Sequence, residues 1–223
     1  MELIASEIVK LADVETHRYG PGERLGGDTT ERLKRLHIYI RDGAIGLRVA
    51  EGQTTSALLE VFGPGRLLSP RLWNTKPGPM ESRYATALAP TTTWEISADV
   101  LDRQVAAHPP FALSLASVNA DGCAMFLDRL AMLALRDPLR RVAHTLLMLL
   151  ERLSPAPGAT PRARLEVGQD LIAAFASLSR QTTNRQLRRL ARAGVATSQR
   201  RAVEVRDLAA LRGVAAGRRS LSR

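Results

Sequence analysis

The stretch VGQDLIAAFASLSRQTTNRQLRRLARAGV, residues 167–195, decides the fold of the C-terminal part of this chain. Its apolar periodicity predicts one helix over 169–176 and a second helix after a turn at 177–178. Ser179 is suited to begin the second helix, because a serine side chain can accept a backbone hydrogen bond at that position. The side chains expected to face the core recur at spacings of three and four: Leu171, Phe175, Thr183, Leu187 and Leu190.

The opposite face of the second helix carries side chains that can read the edges of bases. Arginine can bridge O6 and N7 of guanine, and asparagine or glutamine can bridge N6 and N7 of adenine. A helix that exposes these groups from its first turns suits the major groove of DNA. We assign base contacts to Arg180, Gln181, Asn184 and Arg185. An ordinary basic pair of helices from a protein–protein module fits the same spacing.

Five further side chains are candidates for contacts with phosphates. Three of them stand near predicted helix N-termini, where anions are favoured. A hairpin is expected after Gly194, with residues 198–201 at its tip, and this tip would form a wing close to the DNA backbone. The assigned phosphate contacts are Gln169, Ser179, Thr182, Arg188 and Arg200.

The distribution of charge supports a polyanion-binding module at the C-terminal end. Residues 1–136 hold 15 Lys and Arg against 16 Asp and Glu, whereas residues 137–223 hold 17 Arg against 6 Asp and Glu. The net charge of +10 therefore comes entirely from the last two-fifths of the chain. Such asymmetry indicates a nucleic-acid-binding module attached to a neutral one. A solvated basic surface with no partner is the alternative.

The first hundred residues read as a β domain that follows a short helix over 1–15. Apolar and polar residues alternate over 36–41 and again over 45–49, and Asp42-Gly43 between them predicts a hairpin with a type I′ turn. Further strands are predicted over 57–62, 84–89 and 92–96. Many short strands with turn signals between them are typical of a sandwich or barrel. The proline-rich and glycine-rich stretch over 63–80 is predicted to be a loop.

A long helix is predicted over 111–136, before Asp137-Pro138 ends it. One of its faces carries a coiled-coil seam with spacings of three and four: Leu113, Ala116, Ala120, Cys123, Leu127, Leu130 and Ala134. A second face carries Phe111, Leu115, Val118, Met125, Met132 and Leu133. A helix that is apolar on two sides must be covered twice. We expect one face to pack on the β domain and the seam to pack on a second copy of the chain; full burial inside one large domain is the alternative.

Several classes of protein are disfavoured by what the sequence lacks. A single cysteine, Cys123, excludes an internal disulfide. The four histidines are far apart and lack metal-ligand spacing, so we expect neither a metal site nor another cofactor. Motifs of phosphate-binding loops and of serine hydrolases are missing, so an enzyme is not expected. The first fifteen residues lack the basic region of a signal peptide, which predicts a cytoplasmic protein with no membrane partner.

Three motifs give the chain a resemblance to the cAMP receptor protein/FNR (Crp/Fnr) family of bacterial transcriptional regulators, from about residue 5 to residue 212. They are YGPGERL at 19–25 together with HIYIRDGAI at 37–45, LALRDPLRRVAHTLL at 133–147, and the stretch quoted first. The resemblance implies an α+β fold with an N-terminal jelly roll like a cyclic-nucleotide-binding domain, a long dimerisation helix and a C-terminal winged helix-turn-helix. The implied boundaries are 1–110 for the β-roll sensor domain, 111–136 for the helix, 138–212 for the DNA-binding domain and 213–223 for a basic tail.

By the same resemblance Arg180 and Arg185 reach base edges, and the protein is a homodimer on a near-palindromic site of double-stranded DNA, with RNA polymerase as a candidate partner. Two positions of the helix-turn-helix depart from the family. Gln181 stands where many members have a glutamate, so the preferred base sequence differs. Ser177 stands where the turn usually has a glycine, so a slightly different turn is expected.

The candidate effector pocket also departs from the family pattern. Members that bind cAMP carry Gly-Glu-Leu and then Arg-Ser-Ala, whereas this chain has Ser69-Pro70 in the first motif and Arg83-Tyr84 in the second. On the long helix, Phe126 and Leu127 occupy positions that are polar in those members. We therefore expect a regulator that works without cAMP or responds to another effector, with Ser69, Arg83 and Tyr84 as candidate pocket residues. A regulator that acts mainly through a protein partner, with non-specific DNA contact, is the alternative.

Overall fold

The computed structural model describes residues 2–9, 11, 13–27, 31–51, 55–73, 83–153 and 162–221. The chain forms two compact units, Met1–Phe126 and Leu127–Arg223. The described helices and strands of the first unit are α1 Glu2–Val9, β1 Glu15–Tyr19, β2 Leu36–Asp42, β3 Ile45–Glu51, β4 Thr55–Phe62, β5 Leu67–Leu68, β6 Arg83–Ala87, β7 Thr91–Ser97, α2 Ala98–Ala107 and most of α3 Pro109–Leu133. Short 3₁₀ helices lie at Arg32–Arg35 and Pro70–Leu72.

The strands form two antiparallel sheets with the orders β1-β7-β2-β5 and β4-β3-β6. Strand β2 alternates as expected: Ile38 and Ile40 belong to the core that both sheets share, and Tyr39 belongs to a second core on the opposite face. That second core contains residues of α1, α2 and α3. Both faces of β2 are therefore buried. The predicted jelly-roll-like β domain is confirmed.

The hairpin predicted at Asp42-Gly43 is wrong. Strand β2 pairs with β7 and β5, whereas β3 pairs with β4 and β6, so the turn carries the chain from one sheet to the other. Gly43 has φ +90°, and a Cβ there would lie 2.4 Å from the carbonyl oxygen of Pro90. Gly43 supplies the positive φ that this crossing needs, and the close approach of Pro90 admits only glycine. The hairpin lies instead between β3 and β4, where Glu51 pairs with Thr55.

Helix α3 is covered on one of the two predicted faces. Phe111, Val118 and Met125 are buried within the first unit. All seven seam residues are exposed, and three large ones keep most of their surface open: Leu113 at 74%, Leu127 at 65% and Leu130 at 63%. The helix is two residues longer at its start and three residues shorter at its end than predicted, so Ala134 lies in the turn that follows. Pro109 and Pro110 fit its first turn, where no backbone N–H partner is needed.

The second unit contains the end of α3, then α4 Pro138–Leu153, β8 Ala163–Leu165, α5 Gln169–Ala176, α6 Arg180–Arg192, β9 Ala196–Ser198, β10 Val203–Val205 and α7 Leu208–Ala215. The three strands form an antiparallel sheet in the order β8-β10-β9. Helices followed by a hairpin make the predicted winged helix-turn-helix. The predicted loop 154–161 and part of the predicted loop 63–80 lie outside the described residues.

The basic tail predicted over 213–223 is wrong in its described part. Gly213 to Ala215 complete α7, so a domain boundary at 212 would cut this helix. Leu221 is buried, and its carbonyl oxygen accepts a hydrogen bond of 2.8 Å from Nη2 of Arg189 on α6. The chain after α7 therefore packs against the helix-turn-helix and forms part of the domain.

Candidate nucleic-acid interface

The helix-turn-helix has the internal packing that the spacing predicts. Phe175, Leu187, Leu190 and Thr183 are buried, and Leu171 is half-buried. Ser179 begins α6 as expected, because its Oγ accepts a hydrogen bond of 3.1 Å from the backbone N–H of Thr182. These inward contacts leave the polar face of α6 directed away from the core of the domain.

Three of the four predicted base-reading side chains, Arg180, Gln181 and Arg185, are exposed on α6, and Asn184 is half-buried. An open groove of about 650 Å³ runs along this helix, and its walls include Gln181, Asn184 and Arg185. Arg188 shares this groove with residues that the sequence reading did not include: Gln186, Arg189 and Arg192. Their spacing on the same helix was a signal that could have found them. The groove is lined by three donor-rich amide side chains and four guanidinium groups, with no carboxylate among the described lining residues.

Arg180 forms an exposed ion pair with α5. Its Nε lies 3.1 Å from Oδ1 of Asp170 in the first turn of α5, and both side chains are largely exposed. An exposed pair of this kind stabilises the fold by roughly 0–1 kcal/mol. The guanidinium can therefore exchange Asp170 for a base edge at little cost, while Asp170 biases its position in the free protein.

The predicted phosphate contacts fall into two groups. Ser179, Thr182 and Arg188 lie on α6 or at its start, and Arg200 is exposed at the hairpin tip. Gln169 differs, because its Nε2 donates a hydrogen bond of 2.9 Å to Oγ of Ser198 on β9. In this structure that amide therefore connects α5 to the wing. Arg200 lines a second groove, of about 540 Å³, together with Arg164 and Arg201, which the sequence reading did not assign.

The turn at Ser177 is left-handed. Ser177 has φ 50° and ψ 48°, the conformation that a glycine would adopt there, so the expected change in turn geometry is wrong. The backbone N–H of Leu178 donates to the carbonyl oxygen of Ala173 at 3.0 Å, and this bond completes the end of α5. The hydrogen bonds of the turn hold serine in a conformation that costs about 1–2 kcal/mol for a residue with a Cβ.

Replacing this serine is expected to stabilise the domain. Ser177→Gly removes the strain from the Cβ, which stabilises the fold. It also gives the unfolded chain more backbone entropy, which destabilises the fold by about 0.5–1 kcal/mol. A net gain of roughly 0.5–1 kcal/mol in the free energy of unfolding is expected. Urea denaturation of both proteins measures it. Ser177→Ala is the matched control and should show no gain, because alanine keeps the Cβ. A midpoint for Ser177→Gly at or below the wild-type value would contradict this account of the turn.

The candidate effector residues are placed on separate elements. Ser69 begins the 3₁₀ helix Pro70–Leu72, and its Oγ accepts from the backbone N–H of Arg71 at 3.3 Å. Arg83 is half-buried at the start of β6, where desolvation lowers the pKa of its guanidinium. The ring of Tyr84 lies under the guanidinium of Arg24, with 4.4 Å between the ring centroid and the guanidinium carbon. Residues 74–82, between Ser69 and Arg83, lie outside the described residues.

Neither a metal-ligand cluster nor a polar base contact is seen at the described residues where a cofactor would be expected. Among the described residues no group of three or more His, Cys, Asp or Glu side chains is placed to hold a metal ion. Phe126 of α3 meets Phe62 edge-on, with 6.1 Å between ring centroids, and packs against the core of the β domain. An apolar ring thus fills a position that the resemblance assigns to a polar contact with a cyclic nucleotide.

Comparisons with known proteins agree with this architecture. Residues 140–214 match the family model of the Crp-like helix-turn-helix domain. The fold is similar to that of FixK2 from Bradyrhizobium japonicum, with a TM-score of 0.72 and 18% identity over 91% of this chain and 98% of that one. A transcriptional regulator of the CRP/FNR family from Thermus thermophilus gives a TM-score of 0.69 and 21% identity, over 91% and 98%.

A cyclic nucleotide-binding domain containing protein from Listeria monocytogenes EGD-e gives a TM-score of 0.76 and 16% identity, over 94% of this chain and 98% of that one. No curated protein matches the sequence. The resemblance drawn from the three motifs is confirmed. The chain therefore carries a Crp-like helix-turn-helix domain at residues 140–214 and is similar in fold to these proteins along nine-tenths of its length.

Proposed function

We propose that the protein is a sequence-specific regulator of transcription that binds a near-palindromic DNA site as a homodimer. The observation that carries this proposal is the face of α6, where Arg180, Gln181, Asn184 and Arg185 stand together on a helix whose other face is buried. Guanidinium and amide groups on one open face are the chemistry of major-groove recognition. Arg188 and Arg200 would hold the phosphates on either side. A bacterial regulator of this kind works in the cytoplasm, with RNA polymerase as a candidate partner.

The homodimer is supported by the open seam of α3. By length and composition alone α3 is apolar enough to cross a membrane, and 17% of its most apolar window is buried. Its exposed leucines follow the heptad spacing of a two-stranded coiled coil, which is also the spacing expected for contact with an identical helix. A two-fold interface covers the same patch on both copies. Dimerisation through α3 would therefore remove this apolar surface from water.

The single cysteine offers a direct test of that interface. Cys123 is exposed and lies in the seam, so a parallel two-fold coiled coil would bring it next to Cys123 of the second copy. Mild oxidation with copper phenanthroline is expected to convert most of the protein to a covalent dimer on non-reducing gels. Cys123→Ser should remain monomeric on the same gels. A wild-type protein that dimerises in solution but does not cross-link would show that the two helices meet along another face.

Activity without cAMP forms part of the same proposal. Phe126 packs its ring into the β domain, and Ser69 uses its oxygen to begin a 3₁₀ helix. Neither arrangement offers the carboxylate and polar contacts that the family resemblance associates with cAMP. We infer that the sensor domain either holds the dimer in one state or responds to another effector.

Selection of binding sites from random duplex DNA by the ligand-free protein, with and without added cAMP, tests the proposal. A two-fold symmetric motif in both experiments is the expected result. A motif only with cAMP would overturn the proposed independence from cAMP. Steep salt dependence with no sequence preference would instead favour the alternative, a regulator that acts through a protein partner and binds DNA non-specifically.

A further inference from the structure

A buried arginine connects the end of α3 to the helix-turn-helix. Arg129 is 4% exposed, and its Nη1 donates a hydrogen bond of 2.7 Å to the carbonyl oxygen of Phe175 on α5. Its guanidinium carbon also lies 4.0 Å from the centroid of the Phe175 ring. One planar group therefore holds both the backbone and the side chain of the same residue, which fixes their orientation more tightly than either contact would alone.

The carbonyl that Arg129 contacts lies at the end of α5, just before the turn that leads to α6. Phe175 is the penultimate residue of α5, and α6 begins at Arg180, after the left-handed Ser177. The last carbonyls of a helix have no partner within that helix, and they carry a partial negative charge that favours a cation. Arg129, which lies outside the helix-turn-helix motif, donates a hydrogen bond to one of these carbonyls at the end of α5. The position of the turn, and with it the start of α6, is thereby tied to α3.

The same turn of α3 carries the open seam. Leu127 and Leu130 lie close to Arg129 in sequence and are exposed, whereas Arg129 is buried against α5. Positions two residues apart point roughly 200° apart around a helix axis. A rotation of α3 at its seam would therefore move Arg129 and the carbonyl that it holds.

We propose that Arg129 is a positioning residue that fastens the end of α5 to α3, so that α6 is presented to DNA in the orientation that α3 sets. The proposal rests on the proposed function as a DNA-binding dimer. A buried cation costs free energy that an apolar residue of similar size would not, and the bond to the Phe175 carbonyl is a contact that an apolar residue could not supply.

Arg152 provides a matched control. It lies on α4 within the DNA-binding domain, it is also buried, and its guanidinium carbon is 5.1 Å from the centroid of the same ring. Arg152→Lys thus disturbs a guanidinium–ring contact at Phe175 without changing a residue of α3. Arg129→Lys keeps the positive charge on a single donor nitrogen but loses the planar group that contacts ring and carbonyl together.

The experiment compares both variants and wild type as full-length proteins. Binding to the selected duplex and to a scrambled duplex of equal length is measured by fluorescence anisotropy, and hydrogen–deuterium exchange is followed without DNA. Arg129→Lys is expected to lower the ratio of selected to scrambled affinity by roughly 3- to 30-fold, the range seen for residues that couple distant sites. Exchange should rise over residues 171–182 and stay unchanged over β9, β10 and α7. Arg152→Lys should keep the ratio.

Three outcomes would overturn the proposal. In Arg129→Lys, the ratio of affinities and the hydrogen–deuterium exchange could both stay unchanged, or exchange could become faster throughout α4 to α7, which would mark a merely structural residue. In Arg152→Lys, the ratio of affinities could fall as far as it does in Arg129→Lys. If wild type itself shows no preference for any duplex, the proposed function fails. The exchange of residues 171–182 then decides alone whether Arg129 fastens α5.

Discussion

Leu127→Glu is expected to convert the proposed dimer into monomers and, as a result, to abolish specific DNA binding. Leu127 is 65% exposed in the seam of α3, and a two-fold dimer through this seam would place two copies of the change in one apolar interface. Loss of a leucine that is buried in the dimer weakens association by about 2–5 kcal/mol. The desolvation of two like charges in the interface weakens it further. The association constant should therefore fall by several orders of magnitude. Sedimentation equilibrium over a range of concentrations measures it.

A control separates this effect from a general effect of added charge. Ala106→Glu adds the same charge at an exposed position of α2, outside the seam, and should leave the dimer intact. Circular dichroism of Leu127→Glu should match wild type, because Leu127 contributes little to the buried core of a single chain. A stable dimer formed by Leu127→Glu would place the interface elsewhere and remove the support for a two-fold DNA site.

Arg180→Ala is expected to have the second largest effect, on the reading of DNA. Loss of a bidentate contact with guanine costs roughly 1–3 kcal/mol for each half-site and relaxes preference at one base pair. Because a dimer contains two copies, the affinity for the full site should fall by about the square of the single-site factor. Site selection and anisotropy on the selected duplex measure the two effects.

The ion pair with Asp170 makes a second variant informative. Asp170→Asn keeps the size of the side chain and releases Arg180 from the pair. The affinity for DNA should therefore rise by up to roughly fivefold for each half-site, the effect of one exposed pair. The control Arg103→Ala removes one positive charge from α2, far from Arg180 in the sequence, and should leave the selected motif unchanged. If Arg180→Ala preserved both the motif and the affinity, α6 would not be the recognition helix.

Much of the candidate nucleic-acid interface could be predicted because it depends on a single element. The exposed and buried faces of α6 follow from the spacing of Thr183, Leu187 and Leu190, and the two faces of α3 follow in the same way. Residues that line the groove further along α6, such as Arg189 and Arg192, were within reach of the same reasoning. Helical periodicity carries this information whatever surrounds the helix.

Contacts between distant segments were beyond the reach of that reasoning. The pairing of β2 with β7, rather than with β3, depends on how two sheets meet and on the space that Pro90 leaves for Gly43. Gln169 reaches Ser198, and Leu221 folds back to Arg189, through contacts with no local signature. From the sequence alone, Arg129 would be interpreted as a solvated charge, whereas the structure places its guanidinium over the ring of Phe175.

The sequence by itself determined the two helices of the helix-turn-helix, the polar face of α6, the seam of α3 and the location of the positive charge, because periodicity and composition act over a few neighbouring residues. Tertiary structure alone decided which strands share a sheet, that Ser177 is left-handed and that Arg129 holds the end of α5. These features arise from the packing of segments far apart in the chain, where steric fit and the need to satisfy buried polar groups select one arrangement.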